Sequence, residues 1–235
     1  MPEFLPLPAV GRRFVGGQRV RLGDTDTQGR LQPDAAARYL HDVAGDDWDD
    51  TGIDADDLWV VRRTVLALAA GGRWPTLGEA VTATTWCSGI GAAWAERRTD
   101  LAVGDTVVVQ AVALWVPLDG TGRPRRISPA FRSAYGEACG GRKVSGRVTP
   151  AEVSDDAVRR PWPLRRVALD VAGHVNNAAS WTALVEVADG PVAEAVLIHH
   201  GPLEWGDQVT LATAPGRLWL LHGDAVRVSG GWTPA

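Results

Sequence analysis

Asp26-Thr27-Gln28-Gly29-Arg30-Leu31 recurs in altered form, 144 residues later, as Asp170-Val171-Ala172-Gly173-His174-Val175. The register between the copies continues through the pairs Leu40 and Leu184, Asp42 and Glu186, Val43 and Val187, and Ala44 and Ala188. Each copy has an aspartate, a glycine three residues later, and then a side chain with nitrogen donors. A repeat of this kind indicates that one supersecondary unit is used twice.

A second pair of matching segments follows each copy. Leu77-Gly78-Glu79-Ala80-Val81-Thr82 corresponds to Trp205-Gly206-Asp207-Gln208-Val209-Thr210, with an offset of 128 residues. In both, a glycine and an acid form a turn before a predicted strand. Because the offset falls from 144 to 128, the first copy has the longer connection between helix and sheet.

Each unit has the pattern of a helix followed by strands. In the first, Pro33 suits the first helical position, and the apolar residues that follow have helical spacing. In the second, residues 175–188 are apolar on nearly every side, which predicts a long helix wrapped by other structure. The predicted strands are rich in Val, Thr and Trp and cover residues 58–70, 80–88, 93–103, 106–117, 192–199, 208–214, 217–221 and 224–228.

A long buried helix wrapped by an antiparallel sheet is the hot-dog arrangement. Its duplication predicts an α+β protein with two hot-dog units in tandem. We place the first domain at residues 1–132, a linker rich in glycine and mixed charge at residues 133–158, and the second domain at residues 159–235.

Composition and motifs exclude several classes of protein. The 235 residues are 45% apolar, which suffices for a substantial core, and no run of 18 uncharged apolar residues suggests a transmembrane helix. Residues 1–10 lack the basic segment of a signal peptide, and the only cysteines, Cys87 and Cys139, form neither a disulfide framework nor a zinc motif. No HExxH, G-x-S-x-G or P-loop motif occurs. We expect a cytoplasmic protein with reduced thiols and without a bound metal.

Charge is distributed unevenly along the chain. The formal net charge of −4 argues against a nucleic-acid-binding protein. Between residues 121 and 147, however, there are seven basic side chains and one acid, Glu137. The ordinary interpretation is a solvated basic linker. The alternative is a docking surface for an acidic partner.

The second copy contains the candidate site, Leu169-Asp170-Val171-Ala172-Gly173-His174-Val175-Asn176-Asn177. This segment resembles the acyl-acyl-carrier-protein (acyl-ACP) thioesterases of plants and bacteria, which have an aspartate, a histidine and Val-Asn-Asn at the start of the second buried helix. The resemblance extends over about residues 19–211. It includes, in order, residues 59–64, 75–78, 85–86, 94–98, 114–116 and 122–128.

The resemblance implies hydrolysis of fatty acyl-ACP to free fatty acid and holo-ACP. It implies acyl carrier protein as the partner, no cofactor, and acyl-chain binding in the first domain. An acyl-CoA thioesterase, a hydratase using the same Asp and His, and a non-catalytic acyl-thioester-binding protein stay open as alternatives. A homodimer of the chain is also left open.

The residue types suit thioester hydrolysis independently of the resemblance. Asp170 can act as a general base or a nucleophile, and His174 can orient the thioester or the water. The expected helix N-terminus offers backbone N–H groups to the developing oxyanion, and Gly173 allows close approach of the backbone. Val175 and Asn176 join Gly173 as expected substrate-binding residues. Asn176 and Asn177 also suit capping of the helix, and His174 suits a buried structural role.

Glu204 is the third catalytic candidate, because it matches the family's functional glutamate. Its alternative role is that of an acid on an edge strand. The next residue, where many family members have a cysteine, is Trp205, so a thiolate there is excluded. Ala172 stands where plant members have asparagine. In the first copy Arg30 replaces the histidine, which predicts a structural loop with Asp24 and Asp26 in a turn.

Overall fold

The computed structural model describes residues 4–53, 58–148 and 152–235. Their strands are β1 Phe14–Arg19, β2 Leu58–Leu68, β3 Ala80–Ile90, β4 Ala95–Val103, β5 Thr106–Leu118, β6 Val158–Pro161, β7 Val192–His199, β8 Val209–Ala214, β9 Arg217–His222 and β10 Ala225–Pro234. The α-helices are α1 Pro33–Asp50, α2 Pro129–Tyr135 and α3 Thr182–Val185. Short 3-10 turns lie at Leu22–Asp24, Arg166–Ala168 and Ala179–Trp181.

All ten strands form one antiparallel sheet with a repeated topology. Their order is β1-β3-β4-β5-β2-β7-β10-β9-β8-β6. Read outward from the centre, the halves have matching orders, β2-β5-β4-β3-β1 and β7-β10-β9-β8-β6. They join where β2 pairs with β7, with Thr64 opposite Leu197. The α+β double hot-dog class is thereby confirmed.

Helix α1 forms where the sequence predicts it. Pro33 occupies its first turn with Asp34, and the Asp34 carboxylate accepts a hydrogen bond from Arg38 at 2.7 Å. The apolar face buries Leu40 and Val43 in a core that also contains Leu184 of α3. This shared core holds the two halves together through apolar burial.

The long helix predicted over residues 175–188 is wrong. Only a 3-10 turn and the single α-helical turn of α3 form there. Asn176 Oδ1 accepts the N–H of Ala178 at 2.8 Å, which holds the preceding residues in a turn. Gly190, with φ of 148°, and Pro191 then precede β7. The expected burial of the segment is right, since Trp181 and Leu184 are fully enclosed.

The eight predicted strands all form, with ends within a few residues of those expected except for β10, which continues to Pro234. Strands β1 and β6 and helix α2 were not predicted from the sequence. Helix α2 spans the proposed domain boundary after residue 132, and Tyr135 and Cys139 beyond it are buried. The division at residues 132 and 158 stays a prediction, but this part of the proposed linker packs into the protein.

None of the helices in the described ranges is both long and apolar enough to cross a membrane.

Candidate active site

A tight loop holds Asp170 and His174. The Asp170 N–H donates to the His174 carbonyl at 3.0 Å, and the Gly173 N–H donates to the Asp170 carbonyl at 3.0 Å. One carboxylate oxygen of Asp170, Oδ1, accepts the Ala172 N–H at 3.0 Å. The other has no partner among the described residues, and the side chain is exposed. This loop therefore presents a carboxylate with a free oxygen.

Gly173 is required by its backbone conformation. Its φ is 77°, in the left-handed region, and a Cβ there would meet no atom within 4 Å. Close approach of the thioester to this backbone stays a prediction. Glycine permits the turn that places His174 after Asp170.

The first copy of the loop has the same backbone and a different side-chain arrangement. The Asp26 N–H donates to the Arg30 carbonyl at 2.8 Å, and Gly29 donates to Asp26 at 2.9 Å. Here, however, Asp26 also accepts a hydrogen bond from Arg30 Nε at 2.8 Å. Hydrogen bonds from Arg30 and Gln28 lower the pKa of Asp26 against the opposing effect of burial, which is the largest single influence. The hydrogen bonds of the Asp26 carboxylate therefore stabilise its own loop.

Glu204 lies beside His174. The two residues form an isolated antiparallel bridge, and Glu204 Oε1 is 3.7 Å from His174 Nε2. Both side chains are substantially exposed, at 44% for His174 and 63% for Glu204. Glu204 lies in the turn before β8 rather than in a strand. The structure therefore places the three candidate catalytic residues on two adjoining turns.

Asn176 and Val175 anchor the loop. The Val175 N–H donates to Leu203 at 2.8 Å, and the Asn176 N–H donates to Ala168 at 2.8 Å. Asn177 Nδ2 reaches the Val61 carbonyl of β2 at 3.3 Å. Val175 and Asn176 also line a cavity of about 890 Å³ that includes Arg38, Arg160 and Arg165. Their role in substrate binding stays a prediction.

The oxyanion site expected at a helix N-terminus stays a prediction, and the helical segment there is short. Hydrogen bonding of helical type begins only at Ser180, whose N–H donates to Asn176 at 3.3 Å, and the 3-10 and α turns that follow are short. A helix of this length has almost no macrodipole to offer. Its dipole therefore adds little to whatever hydrogen bonds stabilise a developing oxyanion.

A second, apolar pocket of about 290 Å³ lies in the first half, between α1 and the sheet. Its walls are aromatic and small side chains, with one charged residue: His41, Ala44, Gly45, Trp48, Trp59, Cys87, Ala95, Arg97, Trp115 and Phe131. Arg97 is neutralised by Asp47 at 2.6 Å. The pocket was not predicted from the sequence, because its residues come from six different elements.

This pocket and the Asp170 loop are electrostatically linked. Burial lowers the pKa of His41, in the pocket wall, to about 4, and the negative charge of Asp170 opposes that shift. Asn177, in the same loop, contacts β2 two residues beyond Trp59 of the wall. At that point β2 pairs with Trp115 of β5, whose ring contacts His41, so the loop adjoins this part of the wall.

Neither cysteine is placed as a nucleophile. Cys87 and Cys139 are buried, with their Sγ atoms 3.6 Å apart. Contact with the Cys139 thiol and burial both raise the pKa of Cys87 well above its usual value. Trp205, at the position of the family's cysteine, is exposed and packs against Arg166 at 4.6 Å. A protonated, enclosed thiol is a poor nucleophile.

The predicted basic surface is only partly accessible. Arg123, Arg126, Arg132, Lys143 and Arg147 are exposed. Arg142 is paired with Glu96 at 2.5 Å. Arg62 and Arg63, which the sequence also offers as docking cations, are partly buried: Arg62 donates to the His200 carbonyl and Arg63 lies 3.7 Å from Glu96.

Residues 12–135 match the acyl-ACP thioesterase N-terminal domain. An uncharacterized protein of Mycobacterium tuberculosis is 24% identical over 229 residues, covering 94% of this chain and 88% of the relative. An acyl-ACP thioesterase from Bacteroides thetaiotaomicron superposes with a TM-score of 0.79 at 14% identity, covering 94% of this chain and 97% of that one. The 12:0-ACP thioesterase from Umbellularia californica superposes with a TM-score of 0.77 at 18% identity, covering 95% and 98%.

At these identities, the two superpositions establish the fold. The sheet, the helices and the carboxylate-bearing loop together define a double hot-dog protein of the thioesterase class. Since the matched domain covers more than half of the chain, the chain belongs to the acyl-ACP thioesterase family. It is accordingly a thioester hydrolase.

Proposed function

We propose that the protein hydrolyses the thioester of fatty acyl-ACP, with Asp170 as the base that activates water. The acyl chain occupies the apolar pocket of the first half, and the carrier protein stays outside. Family membership and the joint placement of pocket and loop support this assignment. The observation that carries the mechanism is the free carboxylate oxygen of Asp170, in a loop that contacts β2, one of the strands that line the apolar pocket.

In the proposed reaction, Asp170 removes a proton from water, and the resulting hydroxide attacks the thioester carbonyl carbon. The carbonyl π electrons move to oxygen, which becomes an oxyanion. Collapse of this intermediate breaks the C–S bond, and the thiolate takes up the proton. Free acid and the carrier's thiol are the products. His174 and Glu204 orient the water and the thioester at the mouth of the pocket.

The family supports acyl-ACP as the substrate over acyl-CoA, and the exposed cations of residues 123–147 support an acidic partner. The carrier's own charge adds attraction that a small thioester lacks. The test compares purified protein on acyl-ACP, acyl-CoA, enoyl-CoA and S-acyl-N-acetylcysteamine, with release of thiol and of free acid measured. We expect the highest kcat/KM on acyl-ACP. Binding of acyl-ACP without release of thiol would identify a non-catalytic acyl-binding protein instead.

A direct attack by Asp170 is the alternative route, through a mixed anhydride of aspartate and acid. A single turnover in H₂¹⁸O with excess enzyme distinguishes activated water from an anhydride that is hydrolysed at its aspartyl carbon. Activated water puts ¹⁸O into the fatty acid, whereas hydrolysis of an anhydride at the aspartyl carbon puts it into the protein. We expect the label in the fatty acid.

A further inference from the structure

His41 of helix α1 lies on the pocket wall that adjoins the Asp170 loop. Its ring packs edge-on against Trp115, with ring centroids 5.6 Å apart and planes inclined by 63°. Neither imidazole nitrogen hydrogen-bonds to any part of the chain that the structure describes. Both nitrogens keep some accessible surface and His41 lines the pocket, so its ring can reach a ligand bound there.

The repeat gives His41 a direct counterpart for comparison. The offset of 144 residues that relates Asp26 to Asp170 pairs His41 with Val185 of α3. Val185 lines a small cavity together with Asp26 and Arg30 of the first loop. Each loop thus lies against the helix of the other half, at equivalent positions.

The two sites share the aspartate and differ together at three positions. The first has Asp26 with Arg30, Thr76 and Val185, and its aspartate is bound by the arginine. The second replaces the last three with His174, Glu204 and His41, and its aspartate is free. The imidazole of His41 is therefore found at the site where the aspartate carboxylate, that of Asp170, is available for chemistry.

We infer that His41 is a further catalytic residue, contributed by the first half, whose neutral imidazole donates a hydrogen bond to the thioester carbonyl oxygen. This inference rests on the proposed function and extends it. The reaction needs a donor at the developing oxyanion, and α3, with four residues, has little dipole to add there. The imidazole keeps its proton throughout; only the hydrogen bond strengthens as negative charge grows on the oxygen.

Electrostatics suit that role. Burial holds the pKa of His41 at about 4, so the ring is uncharged at neutral pH and can donate from one nitrogen. An imidazolium at the same place would pair with the Asp170 carboxylate and weaken it as a base. A neutral ring stabilises the oxyanion without neutralising the base.

The test replaces His41 by valine, the residue present at the equivalent position of the other half, and separately by glutamine, which keeps an N–H donor. With acyl-ACP as substrate, kcat for His41→Val should fall by about 100-fold with KM changed little, as for loss of one oxyanion donor. His41→Gln should recover at least a tenth of the wild-type kcat. Val185→Ala, the matched control, should retain the wild-type rate within about three-fold.

Thermal melting of each variant establishes that it is folded before its rate is compared. A His41→Val variant that keeps kcat within three-fold would refute the inference. So would a loss confined to KM, which would indicate that the ring only packs against the acyl chain, or equal losses in the valine and glutamine variants. A wild-type protein inactive on every thioester would instead refute the proposed function, so the two failures are distinguishable.

Discussion

The Asp26 carboxylate lies 2.8 Å from Nε of Arg30, whereas Asp170, at the same point of the repeat, has no cation within ion-pairing distance among the described residues. Backbone hydrogen bonds of the two loops agree to within 0.2 Å. Arg30, where the second copy has His174, binds the Asp26 carboxylate, whereas the Asp170 carboxylate keeps a free oxygen. The duplicated fold has one loop suited to stability and one suited to chemistry.

The first prediction follows from this difference. Asp170→Asn keeps the size of the side chain and its hydrogen bond from Ala172 but removes the base, so hydrolysis should fall by about 100-fold or more. Asp26→Asn should leave the rate within about five-fold, because that side chain only ties a loop down. Initial rates at saturating acyl-ACP, on variants shown to melt cooperatively, check both. An inactive, folded Asp26→Asn beside an active Asp170→Asn would place the chemistry in the other half.

The second prediction is that the cysteines are dispensable. Both thiols are buried, and the raised pKa of Cys87 keeps it protonated at neutral pH. The double variant Cys87→Ala, Cys139→Ala should keep kcat within about five-fold while losing some thermal stability. Because Cys87 lines the pocket, replacement is a cleaner test than alkylation. Complete loss of turnover in a folded double variant would contradict a carboxylate mechanism.

The third prediction concerns docking of the carrier. Arg126, Arg132 and Lys143 surround a cleft of about 600 Å³ beside α2. Turnover of acyl-ACP at low substrate should fall with ionic strength more steeply than turnover of S-acyl-N-acetylcysteamine, because salt screens the attraction between exposed charges.

Charge reversal localises the effect. The double change Arg126→Glu, Lys143→Glu should raise KM for acyl-ACP and leave the small thioester unaffected. Arg217→Glu, on β9 of the other half, makes the same kind of charge change away from this cleft and serves as the control. Equal salt sensitivity for both substrates would argue against docking on these cations.

Features with a local sequence motif were predictable, whereas features formed by residues distant in the sequence were not. The loops were predictable because Asp26 and Asp170 each begin a local turn whose glycine has positive φ. Helix α2 also had a local signal, Ser128 before Pro129, and the Ser128 hydroxyl does accept the Phe131 N–H at 3.1 Å. The length of the second helix was overestimated, because apolar content does not reveal the turn that Asn176 imposes.

Long-range features of the site had no such signal. The pocket brings together residues of α1, four strands and α2, so its existence depends on packing rather than on any one segment. His41 was accessible to comparison within the chain, because extending the repeat by the same offset places valine opposite it. A difference between repeat-related residues such as His41 and Val185 indicates a functional role only when the structure places both beside equivalent loops.

The fourth prediction concerns acid stability. Burial lowers the pKa of His199 to about 3 and that of His41 to about 4, both below the ordinary value near 6.5 of an unfolded histidine. At pH values between the folded and unfolded pKa of each histidine, the unfolded chain binds more protons than the folded one. The free energy of unfolding therefore decreases as pH falls from about 6.5 toward 4. His199→Gln should flatten the dependence of melting temperature on pH between about 6.5 and 4.5, above the range where carboxylates titrate.

Melting temperatures of wild type and His199→Gln at a series of pH values provide the measurement. The comparison concerns the slope, so a uniform destabilisation of the variant does not affect it. Parallel curves for the two proteins would mean that His199 is charged in the folded state or equally shifted in the unfolded one.

The fifth prediction is that the aromatic pocket limits acyl chain length. Phe131 stacks on Trp59 with centroids 4.9 Å apart and lies 6.3 Å from Trp48, so these three rings close one part of the wall. Phe131→Leu removes ring atoms and should extend the accepted acyl chains by about two carbons. Ala44→Leu fills the pocket and should shorten the accepted chains. Both effects are expected because each methylene group of the substrate needs its own apolar space.

Ala188 supplies the matched control for the filling variant. It is the counterpart of Ala44 in the repeat and lines the cavity beside the Asp26 loop instead of the aromatic pocket. Ala188→Leu adds the same three carbon atoms and should leave the product profile unchanged. Mass analysis of the fatty acids released from a mixture of acyl-ACPs measures all three variants. A profile that shifts with Ala188→Leu but not with Ala44→Leu would locate the acyl chain in the other half, because only filling the space that the chain occupies can shorten it.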